Sequence, residues 1–246
     1  MIFEQFERTN YGLKHAGNSR FVIVAPHAAG DDWKTARVAR RLAEKLGAAL
    51  VINKKFFRPT NKKANQREQE FSEDFNKLCW SPTYNKYLWK RKHLEIKHFY
   101  KDIAEYCQQA KAASADNRAI VVYIHGMAVK KVGIDLGVGL RAKNTGNRFL
   151  NKWERPENNS GVITIKISQL KKLRALLQKK LEKDYNLAVS VGKKYIGWSK
   201  QSAIQFHKHV PRNDFALQIE INRKLRQYKN LNYLVDLLAD SLRATF

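Results

Sequence analysis

The tightest constraint on this fold lies between residues 20 and 52. Arg20-Phe21-Val22-Ile23-Val24-Ala25-Pro26 is a short apolar run ending at a proline and His27, which reads as a buried strand entering a loop. From Trp33 to Leu46, Ala36, Ala39, Leu42, Ala43 and Leu46 recur at helical spacing, and Gly47 stands where a C-terminal cap belongs. Ala48-Ala49-Leu50-Val51-Ile52 is a second strand. A β-loop-α-β unit implies a right-handed crossover and a parallel strand pair. The chain is therefore committed to an α/β fold near its start.

The remaining segments continue the alternation. Residues 53–83 are polar, basic and irregular, a long functional loop, and residues 84–113 read as a helix carrying Ile96, Phe99, Ile103 and Tyr106 on one face. Ala119–Ile124 is a third strand, followed directly by His125-Gly126. After the glycine-bearing stretch Val132–Gly139 and a basic loop over 141–160, Val162–Ile165 reads as a strand. Residues 168–183 form a helix with Leu170, Leu173, Leu177 and Leu181 inward, Leu187–Val191 and Phe215–Ile221 are strands, and 231–243 is a closing helix. The expected architecture is one domain over 1–246. It is a three-layer α/β/α sandwich around a mixed, largely parallel sheet, with a long, mainly helical insertion around 53–118.

No stretch reaches the ~20 apolar residues of a membrane-spanning helix. Met1–Glu7 carries acids where a secretion signal would be basic, so the expectation is a cytoplasmic protein without membrane insertion. Two cysteines, Cys79 and Cys107, are too few for a disulfide scaffold or a multi-cysteine zinc module. Against 22 acidic residues stand 47 lysines and arginines, a net charge of +25 that is densest between residues 121 and 200. Such a field attracts nucleic acid, anionic lipid or an acidic substrate.

Three strand ends carry polar residues, where ligands bind in α/β sheets. They are Pro26-His27-Ala28-Ala29-Gly30-Asp31-Asp32-Trp33, then His125-Gly126, then Glu220 within Gln218-Ile219-Glu220-Ile221-Asn222-Arg223. One of Asp31 and Asp32 is placed to cap the following helix, leaving the other for chemistry. Glu220 is the least ordinary of these residues, because a carboxylate in an apolar strand must be paired or exposed. Two imidazoles and a carboxylate suit zinc at an open catalytic site, with His27, Asp32 and His125 as ligands to one Zn2+ and Glu220 as general base. Arg223 and Arg141 are candidate contacts to a substrate carboxylate or oxyanion. His207 and His209 are candidate substrate-side donors, with solvent exposure the more common state of such histidines.

Ala25–Asp32 with the alanine-rich helix after it resembles the metal loop of poly-γ-glutamate hydrolases and related zinc amidohydrolases. The resemblance implies His27 and Asp32 as ligands, His125 as the second histidine, and Glu220 in Leu217–Arg226 as the base. The acid ligand is Asp where the group more commonly has Glu. N-formylglutamate amidohydrolases are similar more distantly. Their aspartate-x-asparagine-arginine motif has its counterpart in Asp74-Phe75-Asn76-Lys77, which implies a substrate carboxylate held by Asn76 and Lys77. Lysine there neutralises a carboxylate without the two-pronged grip of arginine. Both groups imply a carboxypeptidase-like zinc hydrolase fold and cleavage of a C–N amide bond (formyl, γ-glutamyl or peptide-like) in a carboxylate-bearing substrate. The competing reading is a basic nucleic-acid-binding protein without catalysis. It ranks second, because the sequence has no helix-turn-helix, zinc-finger or aromatic RNA-binding signature.

Overall fold

The structure, a computed structural model, describes residues 6–30, 34–59, 65–81, 83, 86–88, 93–142, 153–154, 161–209 and 213–246. In chain order, the first half holds β1 (Glu7–Arg8), β2 (Gly12–His15), β3 (Phe21–Ala25), α1 (Thr35–Leu46) and β4 (Ala49–Asn53). Then come α2 (Gln66–Glu70), β5 (Trp80–Ser81), β6 (Lys86–Tyr87), α3 (Glu95–Ala112) and β7 (Ile120–Met127). The second half holds β8 (Val132–Gly137), β9 (Arg141–Ala142), β10 (Trp153–Glu154) and α4 (Ile167–Tyr185). It closes with β11 (Ala188–Val191), α5 (Ala203–His209), β12 (Phe215–Asn222) and α6 (Leu231–Thr245).

Eight of these strands form one sheet in the order β1-β2-β4-β3-β7-β12-β8-β11. The central four, β4, β3, β7 and β12, are mutually parallel. On one side β2 joins antiparallel to β4, and on the other β8 joins antiparallel to β12. The central strands read as near-continuous apolar runs because helices cover both their faces. Successive side chains alternate between those faces, so Phe21, Ile23 and Val122 enter one core while Val22, Val24 and Val121 enter the other.

The first face packs on α1, α4 and α6 through Val38, Leu42, Leu173, Leu177, Leu234 and Leu238. The opposite face packs on α3 and α5 through Phe99, Tyr100, Ile103, Ile204 and Phe206. The result is the three-layer α/β/α sandwich with a mixed, largely parallel sheet. No helix among the described residues is long and apolar enough to cross a membrane.

Several boundaries differ from the sequence expectation. The helix expected over 84–113 begins only at Glu95, because Lys86–Tyr87 pairs as a ribbon with Trp80–Ser81. Val162–Ile165 joins no ladder as a strand. It runs as a strap in which the Thr164 amide donates to the Val138 carbonyl at 3.1 Å and the Thr164 carbonyl accepts from the Ala216 amide at 3.3 Å. The glycine-bearing stretch at 132 is itself a strand, β8. At Gly137 a β-carbon would overlap the Tyr195 carbonyl and the Gln218 side chain, so only glycine admits that approach. β7 continues through Met127, which puts His125 and Gly126 inside the strand rather than beyond it.

Leu238 is fully buried on α6. Truncation by Leu238→Ala is expected to lower stability by about 2–5 kcal/mol, whereas Lys172→Ala on the exposed face of α4 should stay within about 0.5 kcal/mol. Urea unfolding monitored by circular dichroism measures both.

Candidate functional site

Parallel pairing of β7 with β12 sets His125 beside Glu220, and antiparallel pairing of β12 with β8 sets Glu220 beside Asp135. Residues in register on neighbouring strands project to the same face. An imidazole and two carboxylates therefore lie in a row across three strands, each at most 3% exposed. His27, 6% exposed, lies in the turn after β3, with its ring centroid 5.0 Å from that of His125 at 66°. The chain thus brings His27, His125 and Glu220 to one end of the sheet. Asp32 lies outside the described residues.

Buried polar side chains hold the surrounding loops. Asn53, at the end of β4, donates to the carbonyls of Pro26 (2.7 Å) and Phe56 (2.8 Å) and accepts from the amides of Lys55 and Phe56. All four hydrogen-bonding positions of its amide group are used, and the residue before His27 is pinned. Asp74 meets His27 Nε2 at 2.8 Å and accepts the Asn76 amide at 2.9 Å. Burial alone would raise the Asp74 carboxyl, but the hydrogen bond and charge of His27, the Asn76 amide and the Arg58 charge hold it at about 2.

Asp135 organises the far side. It accepts the Ser190 hydroxyl at 2.8 Å and the amides of Lys193, Lys194 and Tyr195 at 3.1, 3.0 and 3.2 Å. That clamp fixes Tyr195, whose phenol is pushed up by burial and then by the Glu220 charge, with Lys194 and Arg58 opposing. Gln218 lies on the same face of β12 and donates to Glu220 Oε1 at 3.4 Å.

The remaining candidates spread more widely. Asn76 is half-buried, with its carbonyl accepting the Ala203 amide, while Lys77 is exposed and bridges to Ser202 through the backbone. Arg141 is exposed in β9. Arg223 is exposed as well, because β12 continues through Asn222 into a turn and no helix starts at Glu220. The buried arginine of that segment is Arg226. Its Nε donates to the Ile221 carbonyl at 3.1 Å, and its guanidinium lies where a β-carbon on Gly126 would be. His207 is fully buried in α5 and meets the Tyr123 hydroxyl at 2.9 Å, contrary to the exposed reading. The side chain of His209 lies outside the described residues.

Sequence pattern does not single out Asp135, Tyr195, Gln218, Arg58 or Arg226. The alternation Gln218-x-Glu220 is a usable signal for Gln218. The others join the site through pairings that no local pattern encodes.

A second cluster sits near the start of β12, where donor atoms of Cys107, His207 and Asp214 lie within 4.8 Å of one another, all buried. The Lys111 ammonium stands 3.3 Å from Asp214 Oδ1, and the Ala119 amide donates to the same oxygen. Lys111 thereby supplies the positive charge a metal would bring.

No family model matches the sequence, and no curated protein matches it. Among solved structures, a gene product of Agrobacterium tumefaciens is 17% identical, with a TM-score of 0.51 over 93% of this chain and 92% of that one. A bacteriophage poly-γ-glutamate hydrolase is 13% identical, with a TM-score of 0.49 over 98% of this chain and 88% of that one. YNDL in its zinc-free form is 13% identical, with a TM-score of 0.47 over 95% and 89%. At 17% identity the likeness to the Agrobacterium tumefaciens protein is one of fold.

Asn53→Ala leaves several mostly buried partners without a hydrogen bond, and Asp135→Ala leaves four part-buried ones. Each is expected to cost about 2–4 kcal/mol, measured by urea unfolding. Asp135→Ala should also raise amide exchange at Lys193–Tyr195, measured by hydrogen exchange with mass spectrometry.

Proposed function

We propose that this chain is a zinc-dependent amidohydrolase that cleaves a C–N amide bond in a carboxylate-bearing substrate. One zinc would be held by His27, Asp32 and His125, with Glu220 as the general base. The observation that carries this reading is the buried approach of His27 to His125 with Glu220 in register beside His125. The donor set fits zinc. Two buried imidazoles approach each other edge to face, and Asp74 takes Nε2 of His27, as an outer carboxylate does when it orients a ligating histidine.

Zinc, when bound, would polarise the scissile carbonyl and lower the pKa of a water toward neutrality. Glu220 would serve as the base that accepts a proton from the attacking water and returns it to the leaving amine. Asp135 spends its oxygens on four donors of the chain, the Ser190 hydroxyl and the amides of Lys193, Lys194 and Tyr195, so the proton-carrying role falls to Glu220. Tyr195 keeps its phenolic proton and is a donor toward the substrate carbonyl oxygen. Arg58, whose charge reaches both Asp74 and Tyr195, draws in a substrate carboxylate together with Asn76 and Lys77.

The test couples elemental analysis to hydrolysis of a panel of N-formyl, γ-glutamyl and peptide amides. The wild type is expected to hold one zinc per chain. Glu220→Gln should keep zinc and lower kcat by about 100-fold or more, while His125→Ala should lose both metal and turnover. Substoichiometric metal after zinc is supplied, or full activity of Glu220→Gln on an amide that the wild type cleaves, overturns the proposal.

A further inference from the structure

A groove of about 640 Å³ opens along α1, and Ala28, the neighbour of His27, is among its lining residues. Among the described residues its wall carries Lys34, Arg37, Arg40, Arg41 and Lys54 against a single acid, Glu44. The apolar positions Val38, Ala39, Leu42, Ala43 and Leu46 turn inward on the core, so the arginines of α1 face out. A solvated helix face ordinarily mixes both signs, and Arg37 and Arg41 stand at a like-charge i,i+4 spacing that costs helix stability.

Two aromatic rings complete the groove. The Arg40 guanidinium lies 4.4 Å from the Phe6 ring centroid, and that of Arg37 lies 5.6 Å from the Tyr228 centroid. Tyr228 is 78% exposed, an unusual position for a ring that packs no core. We infer that this groove binds single-stranded nucleic acid, with phosphates on Arg37, Arg40, Arg41 and Lys34 and a base stacked on Tyr228.

The combination of cations with the exposed ring of Tyr228 favours this ligand. Cations track a phosphate backbone, and aromatic side chains stack on unpaired bases. A polycarboxylate carries no flat face for Tyr228, and a duplex hides its base faces. The net charge of +25 exceeds what a small acidic substrate needs and suits a long polyanion. The inference goes beyond the hydrolase reading and stands apart from it.

The test titrates the full chain into a labelled single-stranded oligonucleotide, a duplex of equal length and poly-glutamate, following fluorescence anisotropy over a range of salt. The single strand should bind tightest, with affinity falling steeply as salt rises. Arg37→Glu combined with Arg40→Glu should weaken it about tenfold or more, and Tyr228→Ala several-fold, with poly-glutamate binding unmoved by the tyrosine change. Lys171→Glu combined with Lys172→Glu, the same charge change on exposed α4 positions, should have a much smaller effect. Glu220→Gln should leave oligonucleotide binding unchanged, so the hydrolase reading and this one fail separately. Equal losses from the α1 and α4 reversals, no effect of Tyr228→Ala, or preference for duplex or poly-glutamate overturns the inference.

Discussion

β7 and β12 pair in a single register, and the site follows from it. Ile120, Val122 and Ile124 face the same core as Leu217, Ile219 and Ile221, while His125 and Glu220 face the other side as neighbours. Side chains alternate with a period of two, so a slip of one residue would turn Glu220 toward the leucines of α4 and α6. An unpaired carboxylate buried there costs several kcal/mol. The apolar faces that build the core therefore also place the imidazole beside the carboxylate.

Rigidity at the strand ends comes from polar side chains that each make two or more contacts. Asn53 grips the turn before His27, Asp74 holds the His27 ring, and Asp135 collects three consecutive amides of the Tyr195 loop. Each is buried or largely so, where a hydrogen bond is strong and an unmet one is expensive. Loops that would otherwise wander are in this way tied to the sheet that carries Glu220.

Surface charge follows a different logic. The helices bury one stripe and leave the other to solvent, and on α1 that outer stripe is mostly arginine. Lys45 is engaged with Asp236 of α6 at 2.8 Å, whereas Arg37 and Arg40 lean on aromatic rings. The basic groove and the histidine pair share the turn at His27-Ala28 but draw on separate side chains.

Local pattern suffices to read β3, α1, β4, α4 and β12, because hydrophobic periodicity is set by which face each element buries. It also singles out His27, His125 and Glu220, since polar residues interrupting or ending apolar strands are conspicuous. Pattern misleads where a partner far along the chain governs the outcome. Lys86–Tyr87 pairs with a short ribbon instead of extending α3, and His207 is buried against Tyr123. Arg226, not Arg223, turns in beside Gly126 because β12 runs on through Asn222 before the chain turns. The alternating layers and the polar strand ends are thus written in the order of residues alone. The contact of Asp74 with His27 and the recruitment of Asp135 and Tyr195 are not, because hydrogen bonds between segments tens of residues apart exist only once the folded sheet has brought those segments together.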